Sequence, residues 1–397
     1  MTVPAAQIGA PREAVVLKKG VPAAQLERTA TSTRFSYLAG YTGDRVGHAL
    51  PLGESVELPG AAVPPWFANL LPEGRRLAML RRAVKTSADD DFSLLVAAGR
   101  DPVGDVSVMS DRGTSPARFE LPPDFTEVSF RELVSAGGID PSSIPGVQDK
   151  LSSGMITVPV STPSGQSIIK LNPPDYPFAV QNESFFLTLA RGLGVAVSPH
   201  QIIHDRDGEP ALVVERFDRM QRDGHPLDLA VEDGCQLLNI YPADKYNVSA
   251  EDVVEALSSV CAARPVAVRN AYLQLLFAWL TGDGDVHAKN LSVVQSLQGE
   301  WRMSPIYDVP STLPYGDMTM ALVMGGRSDG LIRKHLLEFG HTLGLSSAAA
   351  TSGLERVLKT TASLIPQLES GALPFDQHRT RHWVRQLARR RRDAMHS

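Results

Sequence analysis

At 397 residues, with 43% hydrophobic and 21% charged side chains, the chain has room for a large core and an ordinary globular composition. A net charge of −5 excludes a global basic field for nucleic acid, and no run of about 18 apolar residues is present to span a membrane. Two cysteines, Cys235 and Cys261, are too few for a disulfide framework and read as buried thiols of a cytoplasmic protein; no signal peptide is expected.

Residues 14–18 (AVVLK) and 34–38 (RFSYL) read as strands. Pro64 and Pro65 precede a helical run, because proline suits a helix start, and Pro72-Glu73 opens a second helix. Residues 89–99 (DDDFSLLVAAG) read as a helix with acids at its positive end and Gly99 at its close. Residues 104–109 (GDVSVM) read as a strand. Together these make a mixed α/β unit over residues 1–115. Pro, Gly and polar residues crowd 111–128, which marks a lobe junction.

Beyond the junction, Ser129 caps a short helix over 129–137. A Ser/Gly loop at 142–151 precedes two strands, 154–160 and 166–172, joined by a turn. That loop matches neither GxGxxG nor a Walker A sequence. Lys170 lies inside the apolar run SIIKL, on an exposed face or pointing at a bound anion. A helix follows over 182–192 with Glu183 in its first turn, where an acid also suits the helix dipole. Residues 195–204 and 211–219 read as a hairpin. Helices are expected at 249–262, 266–281, 328–343, 347–369 and 376–393. The last carries Arg379, Arg381, Arg385 and Arg389 to Arg392, either a solvated helix end or a basic contact surface for a partner or DNA phosphates.

The stretch richest in chemistry is TGDGDVHAKNLSVV, residues 281–294. A buried helix precedes it, with Tyr272, Leu275, Leu276, Trp279 and Leu280 at helical spacing. A short strand, LSVV, follows. Asp285 and Asn290 stand five apart, as the proton-accepting Asp and the metal-binding Asn do in kinase loops. Asp308 closes the apolar run SPIYD and offers a second metal ligand. Asp and Asn beside glycine are also common turn formers. A strand Lys170 followed by a helix Glu183 repeats the kinase ion pair that positions phosphates.

These segments, in this order, resemble the HipA family of bacterial toxin kinases. The resemblance rests on SIPGVQDKLS (143–152), IIKL (168–171), NESFFLTLA (182–190), VVERFDR (213–219), EDGCQLL with KY (232–246), DVHAKN (285–290) and PIYD (305–308). FANLLPEG (67–74) with DDFSLL (90–95) resembles the N-terminal subdomain of that family.

The resemblance implies an α/β (α+β) chain: a two-lobed protein-kinase-like fold, an added N-terminal mixed α/β subdomain and a mostly helical C-terminal lobe. The segments would be an N-terminal subdomain at 1–115, a nucleotide-binding lobe at 125–220 and a helical lobe at 221–397. It implies ATP and Mg²⁺ as cofactors. Asp285 would act as base, Asn290 and Asp308 as metal ligands, and Lys170 as phosphate ligand helped by Glu183. The backbone near Glu215 and Phe217 would meet adenine. Gly146, Val147, Gln148 and Lys150 belong to the loop over the nucleotide, and Ser143 stands where the family carries its autophosphorylation serine. His287 would brace the catalytic loop and Lys289 would touch phosphate or substrate. Pro145 departs from the small residue often found there and removes one N–H donor.

Two roles follow: a serine/threonine-protein kinase toxin, and a corepressor that holds a HipB-like DNA-binding antitoxin on its operator. The family precedent for a protein substrate is a translation-linked protein such as an aminoacyl-tRNA synthetase. A small-molecule kinase shares the Asp-x4-Asn loop, but FANLLPEG speaks against it.

Overall fold

Glu13–Lys18 alternates exposed and buried side chains, the period of a half-buried strand, β1. The computed structural model describes residues 11–110 apart from 88 and 100, together with 119–120, 125–130, 132, 156–162, 165–222 and 225–396. The chain divides into two units: Met1–Arg118 with Asp218–Asp244, and Phe119–Phe217 with Lys245–Ser397.

In the first unit, β1 is joined by β2 (Val21–Arg28), β3 (Ser32–Tyr37), β4 (Ser55–Pro59) and β5 (Val106–Met109), paired in the order β4-β3-β2-β1-β5. All four pairings are antiparallel. Sequence reading misses β2 and β4. Pro22 and two alanines make β2 a weak strand former, and neighbours on both sides hold it in place. Helices α1 (Pro65–Ala68), α2 (Gly74–Val84) and α3 (Asp91–Ala98) follow. Asp90 caps α3 by accepting the Ser93 N–H. Trp66, Phe67, Phe92, Leu26, Phe35 and Val108 meet in one apolar core.

Residues 218–244 contain the hairpin β11–β12 (Arg219–Arg222, His225–Asp228), the short strand β13 (Val231–Asp233) and α5 (Gly234–Leu238). By its contacts this segment groups with the N-terminal unit, whereas the sequence reading ran it into the helical lobe. Buried hydrogen bonds explain the grouping. Glu232 accepts from Trp66 Nε1 at 2.9 Å and from the His48 N–H at 3.1 Å, and lies 2.7 Å from His48 Nδ1. Asp218 accepts the Gly104 N–H at 2.9 Å. Gly104 has φ +92° and leaves 3.3 Å between the place of a Cβ and the Val231 backbone, so only glycine suits it.

The second unit opens with a sheet of order β6-β7-β8-β10-β9. Its strands are β6 (Phe119–Glu120), β7 (Ile156–Thr162), β8 (Gly165–Leu171), β9 (His200–His204) and β10 (Pro210–Glu215). Ile169, Leu171, Ile203 and Val213 pack its inner face. Helix α4 (Ala179–Ala190) lies between β8 and β9 in the chain. The helix expected over 129–137 lies mostly outside the described residues.

Helices α6 (Ala250–Val260) and α7 (Arg264–Thr281) come next, then the hairpin β14–β15 (Ser292–Gln295, Trp301–Met303). The remaining helices are α8 (Arg333–Thr342), α9 (Ser347–Thr360), α10 (Leu364–Glu369) and α11 (Gln377–Met395). The single helix expected over 347–369 is therefore two. Pro366 has no N–H to give the carbonyl four residues back, and the first helix stops at Thr360. Residues 305–308 are irregular apart from one bridge between Val197 and Ile306.

The arginine-rich tail divides by residue. Arg390 is buried: its guanidinium lies 3.9 Å over the Trp279 ring and donates to the Trp279 carbonyl at 2.9 Å and to the Met318 carbonyl. Burial lowers its pKa to about 10. Arg381, Arg385, Arg389 and Arg392 are exposed. Arg390→Ala should therefore cost about 2–4 kcal/mol in thermal unfolding, from a desolvated cation–π contact and lost carbonyl hydrogen bonds. Arg389→Ala should stay within about 0.5 kcal/mol. Equal shifts would contradict the assignment of Arg390 as the anchor.

Candidate active site

Strand β8 carries Lys170 between Thr157 of β7 and Leu212 of β10. The lysine does not face open solvent. Its ammonium donates to Glu183 Oε1 at 2.8 Å, Glu183 Oε2 at 2.9 Å and Asp308 Oδ1 at 2.7 Å. Glu183 is fully buried on α4. This helix starts at Ala179, earlier than its sequence suggests, so Glu183 falls outside the first turn. The dipole of the helix thus does not account for the acid; its lysine partner does.

Burial alone would lower the Lys170 pKa, but Asp308 and Glu183 outweigh it and raise it. Burial pushes Glu183 up to about 7, with Lys170 opposing and Asp308 adding to the rise. Two carboxylates share one ammonium, which leaves the cluster with an excess of negative charge when both are ionised.

Asp308 has φ 55°, a left-handed conformation that a non-glycine residue rarely adopts. Its second oxygen accepts from Asn290 Nδ2 at 2.7 Å. Asn290 Oδ1 accepts the His287 N–H at 3.1 Å, and the Asn290 N–H returns to the His287 carbonyl at 2.9 Å. His287 therefore braces the loop through its backbone, and its ring lies edge-on to Tyr246 at 5.2 Å.

The loop hangs from the end of α7. Gly282 caps that helix with φ 76°, and an added Cβ there would come within 2.2 Å of Leu313. Gly284 is equally constrained: its Cβ would meet the Thr319 carbonyl at 2.5 Å. The Gly284 N–H donates to Thr312 Oγ1 at 2.8 Å. Asp285 is buried; its N–H donates to Asp283 Oδ1 at 3.0 Å and its Oδ1 accepts from the Tyr246 hydroxyl at 3.0 Å.

Lys170, Glu183, Asp308, Asn290 and His287 thus join in one hydrogen-bonded network within the second unit, and Asp285 meets it through Tyr246, whose ring lies against His287. Lys289 is half-buried, and its carbonyl accepts the Tyr307 hydroxyl at 2.7 Å. Glu215 ends β10 with its side chain exposed. The Glu215 N–H donates to the Pro199 carbonyl and the Arg216 N–H to the Gln166 carbonyl. Phe217 packs against Tyr307 at 5.7 Å. Ser143, Gly146, Val147, Gln148 and Lys150 lie outside the described residues.

Sequence reading passed over two residues here. Asn182 donates to the Ser311 carbonyl at 2.8 Å and accepts its N–H at 3.0 Å, so α4 grips the chain just beyond Asp308. The only sequence signal is a polar residue beside Glu183, the one charged side chain of this helix. Asp283 is the second. It is buried two residues before Asp285, with Oδ2 lacking a hydrogen-bond partner.

Burial, and then the nearby Asp285 charge, raise the Asp283 pKa well above the carboxylate range. The folded chain then holds this proton more tightly than the unfolded chain. Its contribution to stability is lost as pH rises above about 4. Asp283→Asn keeps the acceptor and removes the titration. The thermal midpoint of the variant minus that of the wild type should grow from pH 5 to pH 8; a gap that is flat or shrinks would contradict the burial argument.

Two family models match the chain. The model described as HipA-like C-terminal domain covers residues 142–365, and that described as HipA N-terminal domain covers residues 14–109. The serine/threonine-protein kinase toxin HipA of Shewanella oneidensis is 28% identical over 381 residues, 87% of each chain. A kinase-named protein of Sinorhizobium fredii is 30% identical over 324 residues, 74% of this chain and 76% of that protein. A chain of the solved Shewanella oneidensis complex of HipA, HipB and operator DNA superposes with a TM-score of 0.75 at 23% identity, over 95% of this chain and 96% of that one. That likeness carries the kinase-like two-lobed fold. With both family models matched in order along the chain, this protein belongs to the HipA family of toxin kinases.

Proposed function

We propose that the chain is an ATP- and Mg²⁺-dependent serine/threonine-protein kinase acting as the toxin of a toxin–antitoxin pair. The observation that carries this reading is the placement of Asp308 between Lys170 and Asn290, with Asp285 on the same loop. The left-handed backbone at an acid that bridges a cation and an amide supports this reading.

The roles follow from chemistry. Lys170 holds the phosphates, and Glu183 keeps its ammonium charged and aimed. Asp285 orients the hydroxyl of the acceptor serine and takes its proton as the γ-phosphoryl moves to that oxygen and ADP leaves. Asn290 and Asp308 are the metal ligands, and their donor set fits. Mg²⁺ takes one or two carboxylates and completes its shell with phosphates and water. An ion held there would neutralise charge on the transferring phosphate. Lys289 reaches phosphate or substrate.

At the strand edge the N–H groups of Glu215 and Arg216 are already donated, which leaves the Phe217 N–H to meet adenine. Gly146, Val147, Gln148 and Lys150 serve nucleotide binding, and Ser143 is the site of self-phosphorylation. The partner is a HipB-like DNA-binding antitoxin, with the chain as corepressor in the cytoplasm, and the protein substrate is translation-linked. The HipA, HipB and operator DNA complex of the Shewanella oneidensis relative supports the partner. The exposed Arg381, Arg385, Arg389 and Arg392 favour contact with DNA phosphates in that assembly.

Purified chain with labelled ATP and Mg²⁺ should place phosphate on serine, Ser143 foremost, and Asp285→Asn should abolish the label. Lys170→Ala should cut turnover at least 100-fold, about 2.7 kcal/mol in the activation barrier. Normal turnover in Lys170→Ala, or equal label in Asp285→Asn, would overturn the assignment.

A further inference from the structure

Asn182 stands one residue before Glu183 on α4 and is fully buried. Its amide takes both backbone groups of one residue in the loop beyond Asp308. Nδ2 donates to the Ser311 carbonyl at 2.8 Å, and Oδ1 accepts the Ser311 N–H at 3.0 Å. Nδ2 also lies 3.4 Å from the Tyr315 hydroxyl, which donates to the Pro177 carbonyl at 3.0 Å. At its start α4 is tied to the end of β8, because Asn172 Oδ1 accepts the Val180 N–H at 2.9 Å. One helix therefore meets β8 through Asn172 and Lys170, and the loop through Asn182.

The grip on Ser311 reaches Asp308 through a stiff spacer. Pro310 has a fixed φ, and a proline disfavours the helical region for the residue before it, here Val309. Both residues are buried. Little torsional freedom remains between the acid and Ser311 to absorb a shift. On the other side of Asp308, the Ile306 N–H donates to the Ala196 carbonyl at 2.8 Å, and the Ile306 carbonyl accepts the Ser198 N–H at 2.9 Å. Asp308 thus lies in a span of chain held at both ends. Its left-handed backbone, φ 55°, is of the kind that persists only where the surroundings over-determine it. Ser311 Oγ and the Thr312 N–H also bond the Gly282 carbonyl, at 3.2 and 2.8 Å, which ties the stretch to the end of α7; Asn182 ties it to the helix that carries Glu183.

We infer that Asn182 is a positioning residue for Asp308: by holding both backbone groups of Ser311, it sets the acid where one oxygen meets Lys170 and the other meets Asn290. This rests on the kinase reading of the same site, in which Asp308 is a metal ligand. Asn182 makes its contribution through Ser311 and Asp308 and not through the nucleotide.

The test uses the full chain. In Asn182→Ala the Mg²⁺ concentration for half-maximal transfer from ATP should rise about tenfold, the scale on which losing a group that orients a metal ligand is felt. A role in packing alone would lower the thermal midpoint and the maximal rate and leave that concentration unchanged, and that result would overturn the proposal. Pro310→Ala keeps both Ser311 hydrogen bonds and loosens only the spacer, so it serves where Asn182→Ala is too unstable to assay. It should raise the same concentration by a smaller factor, and no rise would overturn the proposal. A second measurement needs neither metal nor nucleotide. The coupling between Lys170→Met and Asp308→Asn, taken from the thermal midpoints of the single and double variants, should shrink by roughly half or more in an Asn182→Ala or Pro310→Ala background. Undiminished coupling would overturn the positioning role even in a chain that transfers nothing. Diminished coupling with no transfer by the wild type would overturn the kinase reading instead.

Discussion

One ammonium group holds the site together. Lys170 reaches from a strand to Glu183 on a helix and to Asp308 on a loop, so three elements of the second unit meet at its nitrogen. Each partner depends on the others. Glu183 is buried too deeply to stay ionised without a cation beside it. Asp308 sits in an unfavourable backbone conformation that isolated chain would leave. The ion pair and the Asn290 amide compensate for both. A cluster with more negative than positive groups is also a place where a further cation is welcome, and that connects its stability to its chemistry.

Around this cluster the loop is held by many small constraints. Gly282 and Gly284 pass where a side chain would collide, and Thr312 and Ser311 bond to the Gly282 carbonyl. Asn182 ties the same stretch back to α4. Behind it α7 is buried from Ala271 to Thr281, a rigid support for groups that must not drift. Precise placement on rigid elements is what phosphoryl transfer asks of a protein that does little covalent chemistry itself.

Much of this was legible in the chain. Asp285 and Asn290 are close in sequence, and a five-residue spacing on a polar loop is a local signal. Lys170 and Glu183 stand out because charges are rare in apolar strands and helices. Asn182, Asp283 and Tyr246 were not assigned roles, since each acts through a partner distant in sequence or through a backbone N–H. The fold was read less evenly. Strands with alternating apolar residues were found, while β2 and β4 were not, because their pairing comes from neighbours and not from their own residues. Residues 218–244 joined the N-terminal unit through the buried Glu232, a carboxylate whose donors, Trp66 and His48, lie far away in the chain.

The most direct measurement is calorimetric titration of the chain with ATP, with and without Mg²⁺, beside Asp308→Asn. If Asp308 and Asn290 would hold the metal that accompanies ATP, affinity should fall at least tenfold when Mg²⁺ is removed, and Asp308→Asn should lose that dependence. Tight binding that is indifferent to Mg²⁺ in both proteins, or no binding of ATP at all, would contradict the site as a phosphoryl-transfer centre.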